Sequence, residues 1–147
     1  MKILLAIDGS APSQDAIEEM ALRSWPSPSS VLILSVIQPY TPPATEIVLA
    51  SATLEQIRQR QAHDAEQLTR RAADRIAAAG LSVETAVREG DPRTTIVDVA
   101  DEWQADLIVL GSHGRTGLTR LVMGSVAQAV VAHAHCSVEV VRRGTKG

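Results

Sequence analysis

Apolar and polar positions alternate between two periods along this chain, and the switches between them divide it into short strand-like runs and longer helical stretches. Ile3 to Ile7 is a continuous apolar run of the kind a strand shows when both of its faces are covered, and it stops at Asp8-Gly9-Ser10. Pro12 and Ser13 supply helix-start chemistry, and Ile17, Met20 and Ala21 share one face before WPSPSS ends the segment. Val31 to Ile37 is a second buried-type strand, closed by the prolines between Gln38 and Pro43. From about Thr53 to Ala79, Leu54, Ile57, Ala65, Leu68, Ala72 and Ile76 recur near helical period, with Gly80 placed as a C-cap glycine.

Leu81 to Arg88 alternates apolar and polar positions, as expected of a strand near a sheet edge. Asp91 and Pro92 then form an N-cap and first-turn pair for a helix whose stripe is Ile96, Val97, Ala100 and Trp103. Leu107 to Leu110 is the fourth strand, Ser125 to His133 a fourth helix, and Val138 to Val141 a last short strand before a polar tail. Residues 38–52 could begin the long helix or form a loop; the loop reading is preferred, as a plain surface connection ahead of a mobile cover over a site.

Strands alternating with helices predict an α/β domain: a Rossmann-like open sheet of five mostly parallel strands, order 3-2-1-4-5, with four helices on both faces. At 147 residues the chain is expected to be a single domain spanning 1–147. In such sheets ligands bind beyond the carboxyl ends of strands where the strand order reverses, so Asp8 and Gly111 are expected to face one crevice.

Composition narrows the chemistry. One Tyr, two Trp and no Phe leave few stacking platforms, and a net charge of −3 gives no broad basic footprint, so no nucleic acid is expected as a partner. A single cysteine, Cys136, excludes an intrachain disulfide and suits a reducing compartment. No apolar run is long enough to span a membrane, and the parsimonious location is cytoplasmic.

The chemistry concentrates in LIVLGSHGRTGLTRLVMGSVAQAVVA, residues 107–132. An apolar run breaks at Gly111, a polar loop carries further glycines at 114, 117 and 124, and a helix opens at Ser125. Glycine permits close backbone approach to a ligand, and the first N–H groups of a helix are unpaired donors at the positive end of its dipole. This is the pattern of a phosphate cradle. There is no GxxxxGK[ST] motif and no lysine between 111 and 125, and phosphoryl transfer normally requires a lysine on the phosphates with carboxylates placing Mg2+. The pattern therefore predicts binding of a phosphate-bearing ligand with hydrolysis slow or absent, and no catalytic residue.

Taken together, KILLAIDGS, VLILSVI, the turn EGDP and DLIVLGSHGRTGLTRLVMGSVAQAVVAHAHCSVEVV resemble the universal stress protein family, in its ATP-binding branch, over nearly the whole chain. The resemblance implies that phosphates are held by Gly111, Ser112, His113, Gly114, Arg115, Thr116 and Gly117 with Gly124, Ser125, Val126 and Ala127. It further implies ribose on Asp8 and adenine against Ala6, Val36 and Leu110. The implied ligand is ATP, with or without Mg2+, and the implied role is nucleotide-dependent regulation in a stress response. The alternatives are a slow adenine-nucleotide hydrolase or phosphotransferase, with Asp8 holding Mg2+, and an interaction module free of nucleotide.

Each residue also has a plainer reading. Asp8 alone could cap the first helix, and His113 and Arg115 could be solvated. His133, His135 and Cys136 lie close in sequence without a second cluster to complete a metal site. The arginines of the long helix, Arg58, Arg60, Arg70, Arg71 and Arg75, are interleaved with acids as on a solvated face. The family resemblance implies a homodimer through the final strand, Val138 to Val141. Where relatives often have Cys-Pro-Val this chain has Cys136-Ser137-Val138, and Glu139 puts a charge on the pairing edge that a partner group must answer.

Overall fold

The computed structural model describes residues 1–40, 51–113 and 123–142. These form β1 (Lys2–Ile7), α1 (Ala11–Leu22), β2 (Ser30–Ile37), α2 (Ser51–Ala78), β3 (Ser82–Glu89), α3 (Pro92–Trp103), β4 (Leu107–Gly111), α4 (Ser125–His133) and β5 (Ser137–Val141). The sheet runs β3-β2-β1-β4-β5 and every described pairing is parallel, so the expected order and class hold. The order reverses between β1 and β4, where Ile3 stands opposite Leu107 and Ala6 opposite Leu110. That register brings Asp8 and the end of β4 to the same edge of the sheet.

The period-2 alternation inside the apolar runs sorts each strand between two cores. Ile3, Leu5, Ile7, Val31, Ile33, Leu107 and Val109 pack with Ala16, Ile17 and Met20 of α1 and with Ala72 and Ile76 of α2. Leu4, Ala6, Leu32, Leu34, Ile108 and Leu110 face the other way, against Ile96, Val97, Val99 and Ala100 of α3 and Ala127 and Val130 of α4. Burial on both sides is why β1, β2 and β4 carry no alternation in polarity. β3 alternates because it is an edge strand.

Local chemistry sets the helix boundaries. Ser10 caps α1 by accepting from the Ser13 N–H, and Asp91 caps α3 by accepting from the Arg93 N–H, each with proline in the first turn. The plainer reading of Asp8, as the cap of α1, is thus corrected, since the serine two residues on takes that place. α2 begins two residues earlier than its periodicity suggests and ends against Gly80 at φ 91. Of the ambiguous segment, residues 41–50 lie outside the described ones. No described helix is long and apolar enough to cross a membrane.

Candidate functional site

Beyond the carboxyl ends of β1, β2 and β4 lies a cleft of about 990 Å³. Ala6, Asp8, Val36, Leu110, Gly111, Ser112, His113, Gly124, Ser125, Val126 and Ala127 all line it. Every site residue expected from the sequence that falls among the described residues therefore sits in one cavity. Gly114, Arg115, Thr116 and Gly117 lie outside the described residues.

The β1 side is built around Asp8. The Ser10 N–H and Oγ–H donate to Asp8 Oδ1 at 2.9 and 2.5 Å, and the Asp8 N–H donates to Ser13 Oγ at 3.1 Å. Ser13 is buried in the first turn of α1, so the hydroxyl-lined turn locks the carboxylate to the helix behind it. These bonds occupy one carboxylate oxygen, as expected of a side chain held in a fixed orientation at the cleft.

The β4 side is built around Ser112, which is buried. Its N–H donates to the Val141 carbonyl at 2.9 Å, and its carbonyl accepts from the Gly124 N–H at 2.7 Å. One residue thus ties the end of β5 to the start of α4. Its hydroxyl lies 2.9 Å from His113 Nδ1. Among the described residues no side chain caps α4, in contrast with α1 and α3. The N–H groups of Ser125, Val126 and Ala127 have no partner within the helix and carry the positive end of its dipole. They open on the cleft that Asp8 borders.

Gly111 also answers to packing. A Cβ built there would stand 2.6 Å from the carbonyl carbon of Pro12 and 2.8 Å from its Cβ and O. The glycine lets α1 approach β4 at the edge of the cleft that it lines. Gly124 has φ −61 and ψ 158, angles open to any residue, so its lack of a side chain leaves room in the cleft without serving a special backbone angle.

Sequence reasoning missed two walls of the cleft. Gln61, Asp64, Ala65, Leu68 and Arg71 of α2 line it from one side. On another, the Arg93 guanidinium makes two-pronged contacts to Asp91, from Nε at 3.1 Å and Nη2 at 2.7 Å. That guanidinium holds the Asp91 carboxyl below its ordinary value. A signal for the α2 wall existed in the spacing: Arg71 lies beside the core positions Leu68 and Ala72 on the helical wheel. His135 pairs with Asp101 at 2.9 Å, and no group of three or more potential metal ligands occurs among the described residues. Cys136 is half-buried, and burial raises its thiol above the ordinary value.

Comparison with known proteins gives the architecture a lineage. The model of the universal stress protein family matches residues 1–142. A universal stress protein of Methanocaldococcus jannaschii is 46% identical over 46% of this chain, although the chain spans only 39% of that relative's length. A universal stress protein of Staphylococcus aureus is 32% identical over 95% of the chain and 82% of its own length. Among solved structures, the universal stress protein UspA of Lactobacillus plantarum superposes with a TM-score of 0.78 at 27% identity, over 97% of both chains. A universal stress protein solved in complex with cAMP has a TM-score of 0.65 at 25% identity, covering 97% of this chain and 96% of its own. A family match reaching from the first strand through the last is what the shared sheet order and the cleft at its reversal would lead one to expect, and this chain belongs to the universal stress protein family.

Proposed function

We propose that this chain is a cytoplasmic, ATP-binding universal stress protein that acts as a nucleotide-dependent regulator. The observation that carries this reading is the uncapped N-terminus of α4, open on the same cleft as an oriented Asp8. Three backbone donors at the positive end of a helix suit phosphate, and a fixed carboxylate suits a ribose diol. Ala6, Val36, Leu110 and Ile96 supply an apolar wall for a purine. The relative solved with cAMP supports an adenine ligand for this fold.

Regulation is favoured over turnover because the cleft offers phosphates a cradle without a lysine between 111 and 125. Mg2+ would then accompany ATP as a counter-ion of its phosphates. The protein is further proposed to form a homodimer through Val138 to Val141, with the charge on Glu139 answered within its own subunit by Arg23.

Denaturing the purified protein and identifying released small molecules by mass spectrometry tests the reading. ATP is the expected species, and ATP added to stripped protein is expected to raise Tm. Release of nothing, with no thermal response to ATP, would sink the proposal in favour of a nucleotide-free interaction module. Steady ATP turnover that disappears in Asp8→Asn would instead favour the hydrolase reading.

A further inference from the structure

The five arginines of α2 look alike in sequence, yet the fold gives them different situations. Arg75 donates to Glu18 of α1 from Nε at 3.1 Å and Nη2 at 3.0 Å. Arg58 stands 3.5 Å from Glu89. Arg60, Arg70 and Arg71 are all exposed, and of the three only Arg71 lines the cleft. Arg71 makes no hydrogen bond or ion pair among the described residues.

The position of Arg71 is fixed by packing. Leu68 and Ala72 on either side of it join the core beneath β1 and β2, and the Arg75–Glu18 pair ties α2 to α1 one turn further on. The remaining cleft charges do not neutralise it. Arg93 engages Asp91, and Asp8 accepts from Ser10. Asp64 lies seven residues away on the same helix, about 10 Å along its axis, beyond the reach of a direct pair. Nearer the start of α2, about 15 Å from Arg71 along the helix axis, Gln61 also lines the cleft and has a buried carboxamide oxygen without a hydrogen-bond partner among the described residues. Leaving such an acceptor unanswered is costly, and a bound molecule would relieve it.

We propose that Arg71 is a ligand-binding residue that engages the outer phosphates of the nucleotide from the α2 wall, facing the backbone donors of α4, so that the site favours ATP over AMP. The assignment rests on the nucleotide-binding reading above. A base and a ribose carry no formal charge, so the phosphate chain is the part of the ligand that gains from an uncompensated guanidinium.

Calorimetry on the full chain and its Arg71→Gln and Arg71→Lys variants, with ATP, AMP and adenosine as probes, tests this. Arg71→Gln is expected to weaken ATP at least tenfold and adenosine less than twofold, so that the preference for ATP over AMP narrows. Arg71→Lys is expected to recover most of the loss. Because Arg71 has no hydrogen-bond or ion-pair partner among the described residues, unliganded Tm should match across the three proteins. Unchanged ATP affinity in Arg71→Gln overturns the assignment while leaving nucleotide binding intact. Equal losses for all three probes also overturn it, by placing the guanidinium on the base or sugar. A wild-type chain that binds none of them removes the nucleotide reading and this assignment together.

Discussion

Gly111 and Pro12 meet where the last residue of β4 passes under the first turn of α1, and a Cβ on Gly111 would come within 2.6 Å of the Pro12 carbonyl carbon. The obstacle is backbone, held at that end of the helix by the Ser10 cap and the Asp8–Ser10 bonds, so it cannot swing aside as a flexible side chain would. Gly111→Ala is expected to push α1 from β4 and cost about 1–3 kcal/mol, the usual range for overpacking. Thermal unfolding should show a Tm lower by several degrees, with ligand affinity falling as Asp8 shifts. An unchanged Tm would mean that the contact relaxes without strain.

Gly124 gives the opposite separation of fold from function. Its angles are those of an ordinary N-cap, and α4 has no side-chain cap. Gly124→Asp supplies one, and a capping carboxylate at a helix N-terminus typically adds about 0.5–1 kcal/mol relative to an uncapped start. The same carboxylate occupies the anion position. Unliganded Tm is expected to hold or rise while ATP affinity falls at least a hundredfold, measured by calorimetry. Retained affinity would show that the phosphates lie elsewhere.

How much of this was legible beforehand depended on the range of the interactions involved. The runs Ile3–Ile7 and Val31–Ile37 announce buried parallel strands because covering both faces leaves almost no polar position, whereas the reversal between β1 and β4 was an added supposition, since the alternation of strands and helices does not by itself fix their order. Asp8 and the α4 N-terminus were found because each sits at an element end marked by its own sequence. Arg71 was passed over because the arginines of α2 were read together as one solvated face, although its place beside Leu68 and Ala72 on the helical wheel already set it apart from Arg70. Gly111 carries a packing constraint that sequence reasoning did not see: its neighbour is Pro12, ninety-nine positions away in sequence and visible only in three dimensions. Assigning the α1 cap needed only local chemistry, since Ser10 precedes a proline-containing first turn as favoured caps do.

Acid sensitivity follows from Asp91. Its carboxyl is held below the ordinary 3.8 by the Arg93 side chain and by the Arg93 N–H. A carboxylate with a depressed folded pKa contributes stability that is present above its unfolded value and is lost as pH falls through the folded one. The Asp91 contribution should therefore persist at neutral pH and disappear below pH 3.8. Asp91→Asn is expected to be less stable than wild type at pH 7, with the gap closing in acid, as followed by denaturant titration at each pH. A gap that is constant with pH would mean that the charge pairing with Arg93 is not what stabilises this turn, since Asn keeps the capping oxygen.

Arg23 and Glu139 bear on assembly. Arg23 Nη1 and Nη2 reach Glu139 Oε2 and Oε1 at 2.6 and 2.5 Å, Nη2 also contacts Glu19 at 2.6 Å, and the guanidinium lies 4.8 Å from the Trp25 ring centre. The guanidinium pKa is raised accordingly, chiefly by the bond to Glu139. Both side chains are partly exposed, so the pair adds only about 0–1 kcal/mol to the fold. Its weight should fall on the β5 edge. Antiparallel pairing of two β5 strands about their centre sets Glu139 opposite its own copy, and like charges placed so are unfavourable unless each is neutralised. Arg23→Gln should therefore weaken the dimer most at low salt, with little change in monomer Tm, and adding Glu139→Gln should restore it. Sedimentation of the three proteins across salt concentrations decides the matter: a dimer indifferent to both substitutions would move the interface away from β5.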